Sequence, residues 1–134
     1  MKAVAQEHLM SCSVACVASL CKISYNKALT LFKNESFAST RGYSCKEICA
    51  ALKRENKNYS LKKISPKTKN LLKKEGVIVF VSELKDCAEG HYLLKTKKGW
   101  MDSWINFPLI NPIKTGFRKK LPGKPKWIIF PVHD

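Results

Sequence analysis

Cys12, His91, Asp102 and Gln6 are the residue types that cysteine-based acyl chemistry requires. A cysteine attacks a carbonyl as its thiolate, and a helix N-terminus or a neighbouring imidazolium lowers the thiol pKa. Cys12 follows Ser11, which is predicted to cap a helix over residues 12–22, so Cys12 is expected in the first helical turn. The cysteines deeper in that helix lie beyond the reach of the helix dipole. The pattern therefore predicts a nucleophile at Cys12.

The base for this nucleophile is expected to be a histidine held on a rigid strand. The chain has three histidines. His8 lies in the approach to the first helix, and His133 lies next to the C-terminus. His91 follows Gly90 and opens the strand-like run His-Tyr-Leu-Leu-Lys. His91 is therefore the predicted base.

A catalytic histidine also needs a partner for its second ring nitrogen, and the nucleophile needs donors for the developing oxyanion. A hairpin turn at residues 97–99 places residue 91 opposite residues 102–104, which predicts Asp102 as the orienting carboxylate. Asn106 is the alternative. The backbone N–H of Cys12 and the side-chain amide of Gln6 are the predicted oxyanion donors.

Three segments resemble the C39-type cysteine peptidases. Residues 6–16 carry a glutamine, four intervening residues and then the cysteine, which is the opening motif of that family. Residues 90–94 resemble its histidine strand, and residues 101–104 resemble its aspartate segment. The chain order and the length of about one such domain also agree.

The resemblance implies a papain-like fold with Cys12 as nucleophile, His91 as general base, Asp102 as orienter and Gln6 as oxyanion donor. Familiar members remove leader peptides after a double glycine and are usually fused to an export transporter. The present chain carries serines where the family usually has Asp, Gly and Pro, at Ser11, Ser13 and Ser103. We also expect no attached transporter. The departures and this expectation argue against a double-glycine substrate, while the cysteine chemistry that the resemblance implies stays the same.

Apolar periodicity and turn signals predict helices first and strands afterwards, which is typical of an α+β fold. The predicted architecture is one papain-like domain over residues 1–134, with N-terminal helices packed on a C-terminal antiparallel sheet. Helices are predicted over residues 12–22, 25–33, from Ser44 to about residue 56, and 66–74. Glu47, three residues after Ser44, is the expected capping-box partner at the start of the third helix. Strands are predicted over residues 59–64, 77–82, 91–96, 99–104 and 127–132. Residues 105–126 hold four prolines and are predicted to be a surface excursion.

The chain is strongly basic, with 25 Lys and Arg against 10 Asp and Glu and a net charge of +15. Such a charge attracts acidic substrates and anionic surfaces. Arginine, which reads bases bidentately, is scarce, so specific nucleic-acid recognition is not expected. The sequence predicts neither a membrane span nor a signal peptide, and hence a cytoplasmic protein. The predicted partner is a peptide or protein substrate, and no cofactor is expected.

Several alternatives stay open at this level. Cys12 can be one more buried helix cysteine, and His8, Cys12 and Cys16 have a spacing that suits zinc, although zinc knuckles seldom form within apolar helices. Trp100 and Trp104 can line a substrate groove or join the core, and we expect one of the two in the core. The rivals to a hydrolase are an acyltransferase with the same triad, a peptide-binding module without catalysis, and a lysine-driven polyanion binder.

Overall fold

The computed structural model describes residues 1–85 and 87–133 and shows an α+β fold. Three α-helices come first: α1 (Cys12–Cys21), α2 (Tyr25–Thr30) and α3 (Cys45–Arg54). The strands of the described residues are β1 (Tyr59–Lys63), β2 (Ile78–Ser82), β3 (His91–Thr96), β4 (Gly99–Asp102), β5 (Gly116–Arg118) and β6 (Lys124–Pro131). Short 3₁₀ turns occupy Glu35–Ala38 and Lys69–Lys73.

Local capping explains where two of the helices begin. Ser24 accepts a hydrogen bond from the Lys27 N–H at the start of α2. Ser44 and Glu47 form the expected capping box at the start of α3. In the described part of the chain, no helix combines the length and apolarity needed to cross a bilayer.

The strands form one antiparallel sheet in the order β1-β6-β2-β3-β4-β5. The predicted hairpin is confirmed, because Thr96 pairs with Gly99 and Leu94 pairs with Met101 across β3 and β4. This register carries the start of β3 and the end of β4 to the same end of the sheet. It is the feature that positions the site.

The two faces of the sheet bury different clusters. One face packs against α1 and α3, and α2 packs on α1. The sheet residues Ile78, Leu94, Met101 and Ile129 join the helices in this cluster. The opposite face buries Val77, Val79, Val81, Leu93, Trp100 and Ile128 beneath the 3₁₀ turn and neighbouring loops. The alternation of the two sets along each strand follows from the twofold side-chain period of a strand. Trp100 is thus the predicted core tryptophan.

Several predicted elements differ from the structure, and the strand predicted over residues 99–104 ends at Asp102, where a turn begins. Residues 105–126 are not wholly a surface excursion, because β5 pairs with β4 and β6 begins at Lys124. The second helix ends at Thr30 rather than at residue 33, and the lysine-rich segment forms a 3₁₀ turn in place of an α-helix. Short elements with few periodic positions depend on tertiary pairing for their definition.

Candidate active site

Cys12 is the first residue of α1 and is partly exposed. Ser11 occupies the N-cap position, yet no side chain caps the helix, contrary to the sequence prediction. The Ser11 hydroxyl instead donates to the His8 carbonyl and accepts from the Tyr25 hydroxyl. The first N–H groups of α1 therefore stay free of a side-chain cap, and the Ser13 N–H hydrogen-bonds the Cys12 sulfur.

His91 lies at the start of β3 and lines the same cleft as Cys12. Its Nε2 is 2.7 Å from Oδ1 of Asp102, the last residue of β4. Because Nε2 faces the carboxylate, Nδ1 is the ring nitrogen left for the sulfur. Asn106 does not take this orienting position, since its side chain bonds Pro112 O and the Lys114 N–H.

Asp102 is almost fully buried and has three partners besides its place in the strand. Its Oδ1 accepts from the Trp104 N–H at 2.9 Å as well as from His91, and its Oδ2 accepts from Arg118 Nε at 2.7 Å. The side chain of Asp102 is 3% exposed and that of Arg118 is 33% exposed. Sequence reasoning missed Arg118, because this residue lies in the 105–126 segment that was predicted to be a surface excursion.

The surroundings of Cys12 and His91 favour the charged form of each side chain. Burial alone would raise the pKa of the Cys12 thiol. The charge of His91 and a hydrogen bond from its ring act in the opposite direction, as do the backbone N–H groups of Tyr92 and Ser13. Together they lower the Cys12 pKa below its ordinary value. By contrast, burial raises the pKa of Cys16, one turn further along α1, well above the usual range. A thiolate is therefore favoured at Cys12 alone of these two.

The pKa values of His91 and Asp102 are shifted in the directions that favour the charged form of each side chain. Burial opposes the charge on His91, but the Cys12 sulfur and Asp102 outweigh it and raise the His91 pKa to about 10. Burial likewise opposes the charge on Asp102, and the hydrogen bonds and charges of His91 and Arg118 lower its pKa to about 2. Both shifts favour the thiolate of Cys12 and the imidazolium of His91 relative to their ordinary behaviour, and the two groups titrate as a coupled pair.

Cys12 lines a cleft of about 290 Å³. The walls come from the approach loop, from residues 41–43 before α3, and from the ends of β2 and β3. Gly90 has φ +81, and a Cβ there would lie 2.4 Å from Phe80 Cζ, so only glycine fits beside the histidine. Trp104 lines the same cleft and packs edge-on against Phe107, which makes it the groove tryptophan of the predicted pair.

Gln6 is buried and also lines the cleft. Its Oε1 accepts from the Ser103 hydroxyl, and its Nε2 donates to the carbonyls of His8 and Leu9 at 2.9 and 3.1 Å. The amide hydrogens that an oxyanion would need thus have protein partners in this state. Ser13 contributes a second polar group to the cleft, and its buried hydroxyl has no hydrogen-bond partner among the described residues.

The remaining cysteines and histidines do not assemble into a metal site within residues 1–85 and 87–133. His8 Nδ1 lies 2.8 Å from the Tyr25 hydroxyl, away from any cysteine cluster. All six cysteines are free, and Cys45 and Cys49 pack against the helix-side core.

Comparison with known proteins gives no match, whether to a family model, to a curated protein or to a solved structure.

Proposed function

We propose that this protein is a papain-like cysteine hydrolase that cleaves a peptide or isopeptide bond through an acyl-enzyme. One observation carries the proposal. A cysteine at the first turn of a helix shares an open cleft with a histidine whose far nitrogen is held by a buried carboxylate at 2.7 Å. This is the nucleophile, base and orienter arrangement of cysteine acyl transfer. The resemblance of residues 6–16, 90–94 and 101–104 to C39-type peptidases supports the same assignment.

The mechanism follows from the protonation states. The Cys12 thiolate attacks the substrate carbonyl, and the first-turn N–H groups of α1 receive the negative charge on its oxygen. His91 then gives its proton to the leaving amine, and the acyl group stays on sulfur. His91, now neutral, takes a proton from water, and the hydroxide releases the acyl group as a carboxylate. An amine in place of water would make the same site an acyltransferase.

The position of Asp102 fits the orienting role. Its hydrogen bond fixes the ring plane of His91 and stabilises the imidazolium, while Arg118 and the Trp104 N–H keep the carboxylate itself in place. Gln6 becomes an oxyanion donor only if substrate displaces the carbonyl of His8 or Leu9 from its Nε2. That requirement favours one rival, a module that holds a peptide in the cleft without cleaving it.

Thiol alkylation tests the nucleophile without knowledge of the substrate. At pH 6 an ordinary thiol of pKa about 8.5 is only about 0.3% thiolate. We expect iodoacetamide to label Cys12 of the wild-type protein first at this pH, and the His91→Ala variant to react on the order of 10- to 100-fold more slowly. Cys49→Ser is the matched control, because burial raises the pKa of that thiol to about 11. Equal rates in wild type and His91→Ala would remove the basis for the nucleophile.

Hydrolysis is tested with a mixed peptide library read by mass spectrometry. The hydrolase predicts new peptide termini with the wild-type protein and none with Cys12→Ala. The binding module predicts retention of some peptides by both proteins and new termini with neither. Fast alkylation without new termini would therefore favour the rival.

A further inference from the structure

A loop beside the cleft presents aliphatic side chains to solvent. In the loop of residues 105–114, Phe107 is 38% exposed, Leu109 is 64% exposed and Ile110 is 58% exposed. Leu9, in the approach to α1, is 57% exposed. Leu9 and Phe107 also line the cleft, so the apolar surface runs from its mouth to the tip of the loop. Grouped apolar exposure of this kind marks an interaction surface.

The 105–114 loop is held in a defined shape by its own hydrogen bonds. At its base the Ile105 N–H donates to the Lys114 carbonyl, and the Asn106 side chain spans to Pro112 O and the Lys114 N–H. Near its tip the Leu109 carbonyl accepts from the Trp104 indole at 2.9 Å. These bonds satisfy the loop backbone while leaving the side chains of Leu109 and Ile110 outside.

The chain on both sides of the loop is cationic, while the cleft itself includes an acidic residue, Glu89. Residues 91–133 contain eight lysines and one arginine, and their acidic residue, Asp102, is buried in the site. Lys114 closes the loop, and Lys119 and Lys120 follow β5 as exposed residues. The lysine-bearing turn at residues 97–99 lies against the same edge, since a Cβ at Gly99 would be 3.9 Å from Lys119 Cα.

We propose that the 105–114 loop docks this protein on an anionic lipid surface. Leu109 and Ile110 enter the boundary between headgroups and acyl chains, and the neighbouring lysines face the lipid phosphates. An exposed aliphatic pair on a lysine-rich segment fits a membrane whose apolar layer lies beneath negatively charged headgroups. Nucleic acid carries negative charge but offers no apolar layer that would bury Leu109 and Ile110. An acidic protein would need an apolar pocket that matches these two side chains. The inference does not depend on the proposed hydrolysis, although docking would turn the mouth of the cleft toward the lipid.

Vesicle flotation of the full chain tests this proposal. The probes are vesicles of phosphatidylcholine with about one third phosphatidylglycerol, and vesicles of phosphatidylcholine alone. We expect binding to the anionic vesicles only, weakened at least about tenfold when NaCl rises from about 0.1 to 0.5 M. The Leu109→Ser/Ile110→Ser variant should partition at least about tenfold less than wild type. Val132→Ser, which changes a residue 40% exposed in the segment after β6, should partition like wild type.

Each contrary outcome would overturn the proposal. Equal partitioning of the double variant and wild type would show that charge acts without the loop. Binding to neutral vesicles as strong as to anionic ones, or binding to neither, would remove the lipid assignment. A concentration-dependent dimer that the double variant loses, in sedimentation at equal ionic strength, would make the loop a self-association surface instead. An unchanged Cys12 alkylation rate verifies that the double variant is folded.

Discussion

Arg118 offers a quantitative test of the ionic arrangement around the site, through the variant Arg118→Met. This change removes the cation 2.7 Å from the Asp102 carboxylate and keeps most of the side-chain length. A charge-assisted hydrogen bond contributes about 1.5–3 kcal/mol. Since the Arg118 side chain is 33% exposed, water replaces part of this interaction, and we take the lower end. The expected loss of unfolding free energy at pH 7 is therefore about 1–1.5 kcal/mol.

The pH dependence follows from the sign of the Asp102 shift. Its pKa is about 2 in the folded protein and about 3.9 in the unfolded chain. The stability that this carboxylate contributes is thus complete above about pH 4 and is lost as the pH falls through about 2. A loss of about 1.4 kcal/mol corresponds to a rise of roughly one unit in the Asp102 pKa. The difference between wild type and Arg118→Met should shrink to about a quarter of its neutral value at pH 2.

Urea unfolding followed by tryptophan fluorescence, from pH 7 to pH 2, measures this difference. Lys119→Met is the matched control, because it removes one positive charge from the adjacent exposed residue. We expect less than about 0.5 kcal/mol from the control at every pH. If both variants lose the same free energy, or if the Arg118→Met loss persists at pH 2, the reasoning from the Arg118–Asp102 pair is refuted.

Four further substitutions have definite expectations. Ser44→Ala should cost about 1 kcal/mol in thermal or urea unfolding by removing the α3 capping box, and an unchanged midpoint would contradict that capping bond. Gly90→Ala should lose more than about 2 kcal/mol, because its Cβ would overlap the Phe80 ring at positive φ; a wild-type melting curve would disprove the tight fit. Gln6→Ala should cost about 1–3 kcal/mol by leaving buried carbonyls unpaired. Ser13→Ala should stabilise the free protein by up to about 1 kcal/mol and, if the hydroxyl serves substrate, raise KM; destabilisation would show that the hydroxyl has a partner.

The sequence predicted the parts of this structure that depend on local signals. The first helix, the capping box at Ser44 and the 97–99 turn are coded by consecutive residues, and each lies where expected. The approach of Asp102 to His91 was predictable because an antiparallel hairpin of known turn position sets its own register. Two residues eleven positions apart could therefore be paired without knowledge of the rest of the fold.

The unpredicted parts depend on contacts between distant segments. Residues Gly116–Arg118 form a strand of three residues, too short to show a period, and become a strand only by pairing with β4. The ion pair of Arg118 with Asp102 follows from that pairing. The side chain of Ser11 matched a helix cap by type, but Tyr25 and the His8 carbonyl compete for its hydroxyl. Such competition is invisible to a rule that reads one segment at a time.

Because Arg118 lies on β5, its hydrogen bond to Asp102 depends on an edge strand of three residues. β5 is an outermost strand with a single neighbour, and outer strands open at lower free energy than interior ones. A brief detachment of three residues would release the guanidinium from Asp102 while β2, β3 and β6 stay paired. Amide hydrogen exchange at Phe117 would then report how often β5 detaches and Arg118 leaves Asp102 while the rest of the molecule stays folded. Heat or mild denaturant would therefore break the contact between Arg118 and Asp102 well before the protein unfolds.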